Sequence, residues 1–348
     1  MYKRGASHNI GETQDNRAKG EITVEELERP RIYTERGDLA YWADASLNAE
    51  KVRVSPTVRL AHLAKTGRTS PDTEEFLKLA RATEDFADGR LAAIIINHPT
   101  WPWASRILGI GTENYPKVVG LIEKFGRYYD IGSPMIPRYV NRYSRHYLKV
   151  EADKVVDKEG IWVEGIERLA TPSKLWKYEG FNVDPETGEV PKRRTGQKLT
   201  FNMELRMALY RLGTSFLRAK GIWYRGNNDD GYSPGYEGYH SRIIERKKGV
   251  RIVPTPTERM CLNCNIEVKA KKTLYCPNCG GKLTLKQELP GFLFRGHLHM
   301  MAMREMLKDF STCMWLVWRE ALGLPVTEPY KVVKLSHKPI DPWKMVDR

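Results

Sequence analysis

The chain has 348 residues, 41% of them hydrophobic, and a formal net charge of +14 from 57 Lys and Arg against 43 Asp and Glu. That length allows two or three domains around a sizeable core, and the excess of positive charge favours a polyanionic partner, nucleic acid first among them. No apolar run approaches the roughly 20 residues that cross a bilayer, and the start, MYKRGASHNIGETQDNRAKGE, is too polar for a signal peptide, so a cytoplasmic protein without a membrane is expected.

Residues 1–54 read as a polar arm or leader. Ser55 and Pro56 look like an N-cap followed by the first helical residue, and Ser70 and Pro71 repeat the pattern. Phe76, Leu79, Ala80, Phe86, Leu91 and Ile94 return at spacings of three and four, with acidic residues in the first turn. Residues 55–99 are therefore predicted to form a helical arm, ended by the prolines of NHPTWPW.

WASRILGIGTENYPKVVGLIEKFG follows, with Gly109 and Gly111 between two amphipathic segments. The spacing fits a helix-hairpin-helix, in which amides at a helix start meet a phosphate and Lys117 and Lys124 add charge. A tight helix–helix packing turn fits it as well. A dinucleotide fingerprint does not, because the third glycine is missing. RYYDIGSPMIPRYVNRYSRHYLKV reads as a basic, aromatic loop; its Tyr128, Tyr129, Tyr139, Tyr143, Arg138 and Arg142 are candidate RNA contacts.

Thr171, Pro172 and Gly180 bracket a short helix as cap, first residue and stop. A polar loop with Lys192, Arg193, Arg194 and Lys198 precedes an amphipathic helix that buries Leu205, Leu209, Leu212, Phe216 and Leu217 and carries Arg206, Arg211 and Arg218. These cations complete the candidate nucleic-acid contacts. The last long helix, HLHMMAMREMLKDFSTCMWLVWREALG, is apolar enough to be central to the core. His297 and His299, two apart on a helix, do not face together as metal ligands, and Asp229, Asp230, Asp184 and Glu186 read as turn residues.

Cys261-x-x-Cys264 and Cys276-x-x-Cys279, separated by 11 residues, have the spacing of two zinc knuckles, and Pro277 and Gly280 suit the turn around the sulfurs. Four thiolates close the coordination sphere, so one Zn2+ with a structural role is expected in a small β ribbon inserted over residues 258–288. Cys313 reads as a buried core residue.

In order, GIERLATPSKLWKYEGF, DPETGEVPKRRTGQKLT, FNMELRMALYRLGTSFLRAKGIWY and GHLHMMAMREMLKDF resemble the C-terminal domain of bridge-RNA-guided DEDD transposases, over about residues 100–322. The architecture is similar to the Nop domain of box C/D ribonucleoproteins and to the TIGR-associated (Tas) proteins, where a helical coiled-coil arm precedes an all-helical RNA-grasping domain. The resemblance implies a mainly α fold, with residues 100–257 and 289–348 forming the Nop-like domain. Two departures matter. The first 97 residues are too short and too helical for the four-carboxylate nuclease domain. The basic loop has Thr187-Gly188 and Thr195-Gly196 where the family's nucleophilic serine stands. The resemblance therefore implies a nuclease-free, homodimeric guide-RNA-binding protein that finds target DNA, with or without a separately encoded nuclease and without a catalytic constellation of its own. The alternatives are a transposase or recombinase of that family and a guide-free helix-hairpin-helix DNA-binding accessory protein.

Overall fold

The computed structural model describes residues 30–130, 133–137, 146–151, 154–184, 188–193, 195–227, 234–254, 259–261, 263–264, 266–268, 274–285, 291–328, 332–333 and 339–348. Among them the architecture is mainly helical, with little sheet. Arg138, Tyr139, Arg142, Tyr143, Asp229, Asp230, Glu186, Thr187 and Arg194 lie outside the described residues.

A helical hairpin comes first: α1 (Pro30–Lys65) and α2 (Pro71–Ile95). The predicted start at Ser55 is wrong, because Pro56 lies inside α1. A proline there removes the amide donor that would reach the Val52 carbonyl, and the next residue, Thr57, adds a bond from its hydroxyl to the Arg53 carbonyl at 2.8 Å. The start at Pro71 stands, although the Ser70 side chain accepts no capping bond. Leu39, Ala43 and Leu47, four residues apart, bury one face of α1, and Ala80, Ala87, Leu91 and Ile95 bury one of α2. Two polar clasps cross the hairpin, Ser46 with Asp88 and Arg53 with Glu84.

The short α3 (Trp101–Ala104) leads to α4 (Asn114–Glu123), which is buried from Tyr115 onward and packs against the hairpin. Beyond α4 the basic, aromatic stretch is not the loop expected from its sequence, and residues 100–257 are not all helical. β1 (Arg127–Asp130), β2 (Ser133–Pro137), β3 (His146–Glu151) and β4 (Lys154–Val163) form an antiparallel sheet in the order β2-β1-β4-β3. The sheet leaves and rejoins the helical body at one place, where Arg168 donates to the Phe125 carbonyl and lies 4.1 Å from its ring centroid.

α5 (Gly165–Arg168) leads to α6 (Pro172–Glu179), bounded as its sequence predicts. The Thr171 hydroxyl accepts from the Lys174 amide at 3.3 Å, and Gly180 closes the helix at φ +73°. α7 (Met203–Ala219) is capped by the Asn202 side chain and buries Leu205, Leu209, Leu212 and Phe216. α8 (Ile222–Arg225) and α9 (Tyr236–Arg246) follow.

α10 (Arg295–Ala321) is the axis of the core, buried along most of its length. Its Phe310 sits among Trp103, Phe216 and Trp223, with ring centroids 5.6, 5.0 and 5.3 Å away. Trp315 donates its indole N–H to the Leu169 carbonyl at 2.6 Å, and Arg319 reaches the Ile166 carbonyl at 2.7 Å. Between α9 and α10 the chain leaves through β5 (Arg251–Val253) and returns through its parallel partner β9 (Phe292–Phe294). The cysteine module is the excursion between these strands.

Candidate metal centre and cationic surface

Within the module, β6 (Arg259–Cys261), β7 (Ile266–Val268) and β8 (Thr284–Leu285) pair antiparallel in the order β7-β6-β8. All four predicted ligands converge: the sulfurs of Cys261, Cys264, Cys276 and Cys279 lie within 4.8 Å of one another, and none is in a disulfide. A tetrahedral ion with metal–sulfur bonds near 2.3 Å would set sulfurs roughly 3.8 Å apart. The Cys261 and Cys279 sulfurs are 3.5 Å apart, so the cluster is the right size for an ion with little movement. The Cys264 amide donates to the Cys261 sulfur at 3.4 Å, and Cys276 and Gly281 close the second knuckle through a 2.8 Å backbone bond. Hydrogen bonding among the thiols, with Cys279 first, pushes the Cys264 thiol up to about 12. A metal ion must displace those protons to bind. Among the described residues, the module's buried cluster holds Cys261, Cys276 and Leu283, with Cys264 and Ile266 packed beside them. Cys313 is buried in α10, as predicted, and burial raises its thiol pKa well above the ordinary value.

The candidate nucleic-acid contacts separate into two groups. The first serves the fold. Gly109 adopts φ +96°, and a Cβ there would come within 3.0 Å of the Ser215 backbone in α7. The glycine turn therefore passes close to protein, as a packing turn would. The adjoining Leu108 amide already donates to an anion, the Asp347 carboxylate at 2.8 Å. Lys117 is buried, with its ammonium 3.0 Å from Asp88. Arg211 grips Glu50 with two bonds of 2.7 Å, which hold the Glu50 carboxyl below its usual range. Gly109 and Lys117 are thus engaged in packing and ion pairing within the fold, and Arg211 ties α7 to α1. Their partners lie 29 to 161 residues away along the chain, out of reach of any local pattern.

In the second group, Gly111, Lys192, Arg193, Lys198 and Arg218 face solvent. Gly111 is exposed, ahead of the α4 start. Lys192, Arg193 and Lys198 are exposed on the loop before α7, which encloses a cleft of about 340 Å³ between Asn182 and Thr200. Lys192 pairs with Glu189 at 3.0 Å in the open, a weak constraint. Arg206 braces this loop from α7: its guanidinium donates to the Pro191 carbonyl at 2.8 Å and lies 5.0 Å from the Phe201 ring centroid. Arg218 and Thr195 are exposed. Tyr128 and Tyr129 lie on β1, opposite Trp162 and Ile161.

No protein-family model, curated protein or solved structure matches the chain. Among the described residues, no helix is long and apolar enough to cross a membrane.

Proposed function

We propose that the chain is an RNA-binding protein that assembles with a guide RNA for recognition of target DNA, with one structural Zn2+ at the tetracysteine cluster. The observation that carries this reading is the exposed cationic loop with Lys192, Arg193 and Lys198, braced by Arg206 beside an open cleft, on a chain of net charge +14. Arg218 and Arg194 extend the set, and Gly111 offers backbone beside a helix start. The guide is inferred from the resemblance of the motif order to bridge-RNA-guided transposases and of the architecture to Nop and Tas proteins: sequence would be read by base pairing while the protein holds backbone and shape. Zinc is the natural occupant for four thiolates at tetrahedral spacing.

The test is to express the protein with its native locus, extract the accompanying RNA and sequence it. One discrete short RNA is expected. Heterogeneous nucleic acid would favour the guide-free accessory reading, and nicking of a supercoiled plasmid abolished at Thr195 would favour the recombinase. In titrations of single-stranded RNA, changing Lys192, Arg193 and Lys198 together to Ala should reduce the slope of log affinity against log salt by about 2, one contact each at roughly 0.7. An unchanged slope would remove this loop from the interface.

We also propose that the hairpin pairs with a second copy of the chain. Val52, Val54 and Val58 on α1 and Phe76, Leu79 and Phe86 on α2 are each 45–63% exposed, more apolar surface than two solvated helices need. A shallow groove of about 500 Å³ between Leu60 and Leu77 adds to it. The two helices carry opposite charge. Residues 51–68 hold Lys51, Arg53, Arg59, Lys65 and Arg68 and no carboxylate, whereas α2 carries Asp72, Glu74, Glu75, Glu84, Asp85 and Asp88 against Lys78, Arg81 and Arg90; Arg53 and Glu84 already pair within the hairpin. An antiparallel partner sets α1 against the partner's α2, which satisfies both the charge and the apolar faces in a four-helix bundle. Phe76→Glu with Leu79→Glu should convert a species of twice the 40.1 kDa chain mass into monomer in light scattering, without loss of helix. A monomeric wild-type chain would overturn the pairing.

A further inference from the structure

Away from the cationic loop, four rings meet where α8, α9 and α10 converge. Tyr224 of α8 lies parallel to Tyr236 at the start of α9, with planes 13° apart and centroids 5.9 Å apart. Tyr236 also touches His240, one helical turn along α9, at 5.8 Å, and His299 in the first turns of α10 at 5.5 Å. All four are half-buried at the surface, and Tyr236 also packs against the main core.

Their polar edges are tied down. The Tyr236 hydroxyl and His299 Nδ1 are 2.8 Å apart, and the Tyr224 hydroxyl bonds to Glu237, which raises its pKa. Burial, and then the neighbouring His240, lower the His299 pKa, so its ring is neutral at pH 7. The rings are thereby fixed before any ligand arrives, and little side-chain entropy remains to be lost on binding. Arg225, its side chain 65% exposed, follows Tyr224 directly, and the exposed Arg295 stands one turn before His299 on α10. The parallel Tyr224–Tyr236 pair, held from behind by His299 and flanked by guanidinium groups, is suited to a π-face attached to phosphates.

We propose that Tyr224, backed by Tyr236, His240 and His299, is a stacking seat for an unpaired nucleobase of the bound RNA, with Arg225 and Arg295 at the adjoining phosphates. This rests on the RNA-binding reading above and adds a site to it. The seat accepts any base, since every base has a π-face, and it favours single-stranded over duplex RNA, whose bases are already stacked.

The test uses the full chain and a single-stranded RNA of about 12 nucleotides, within the range that such grooves cover, carrying 2-aminopurine at several internal positions. Wild-type binding should change the 2-aminopurine fluorescence as the base stacks. Tyr224→Ala should weaken affinity about tenfold and abolish that change, while the salt dependence stays the same because no phosphate contact is lost. Tyr224→Phe and Tyr224→Trp should keep both signals. If wild type binds but Tyr224→Ala alters neither signal, the rings serve packing alone and the seat is refuted, while the RNA-binding reading survives. If wild type binds no RNA at low ionic strength, both fall. As a check that needs no variant, 4-thiouridine crosslinking to the wild-type chain should recover peptides holding Tyr224 or Tyr236; crosslinks confined to other peptides would overturn the seat.

Discussion

Cys276→Ser should unfold residues 259–285 and leave the helical body standing. Among the described residues, the module's buried cluster contains one residue that is neither a cysteine nor partly exposed, Leu283, and its three strands are two or three residues long. Strands that short are not stable by burial alone. The missing free energy must come from the ion: apparent zinc binding in small tetrahedral modules is about 10–16 kcal/mol at pH 7, and it is folding free energy where no site preforms. The body does not share this dependence, because β5 and β9 pair with each other and close the chain beneath the module. Hydrogen exchange is therefore expected to show a split. The amides of Cys276 and Leu283, which donate to Gly281 and Leu274, should lose protection while those of α10 keep theirs. A strong chelator should reproduce the effect, and native mass spectrometry should lose one zinc per chain. Acid should act in the same direction. Metal binding needs the thiolates, and hydrogen bonding pushes the Cys264 thiol up to about 12, so each step down in pH favours protons over the ion. Retained protection in the serine variant would mean that the strands fold without metal.

The features legible from the sequence are those whose physics is local. Thr171, Pro172 and Gly180 act within one helical turn of their own chain, and each lies where its chemistry places it. The four cysteines are legible because metal geometry imposes its own spacing. Pro56 is ambiguous because a proline reads the same at the first turn of a helix as in an interior that tolerates a missing bond; the repeat of Leu39, Ala43 and Leu47 upstream is the signal that decides it. The sheet is hidden differently. Tyr, Arg and Pro dominate residues 127–145 and suggest a loop, but Val150 faces Val155 and Lys149 faces Val156 across the two residues 152 and 153, a hairpin with β-branched flanks. The cations are the least legible. Lys117 and Arg193 look alike in sequence, yet one is held by Asp88 in the interior and the other stands in solvent. Only the tertiary fold separates charges that hold the protein together from charges available to a partner.

The same distinction applied to the glycine turn gives the second large effect: Asp347→Ala should destabilise the chain by about 2–4 kcal/mol, since two half-buried amides lose a charged acceptor together. One carboxylate oxygen accepts from the Leu108 amide and the other from the Ile222 amide, both at 2.8 Å, and so ties the turn to the start of α8. The rest of the tail supports it. Met345 is buried, Trp103 donates its indole N–H to the Pro342 carbonyl at 2.8 Å, and the Asp347 amide returns a bond to the Arg106 carbonyl at 3.0 Å. Chemical denaturation measures the loss directly. Because Asp347 also lies 3.9 Å from the Arg225 guanidinium, RNA titration of the variant in an Arg225→Ala background then separates the two meanings of the turn. If the turn is a joint of the fold, removing the carboxylate lowers stability and leaves RNA affinity unchanged. If its amides are a phosphate cradle that Asp347 blocks, removing the carboxylate frees them and RNA affinity rises. The close approach of Gly109 to the Ser215 backbone leaves no room for a phosphate on that side of the turn, so the first outcome is the one expected.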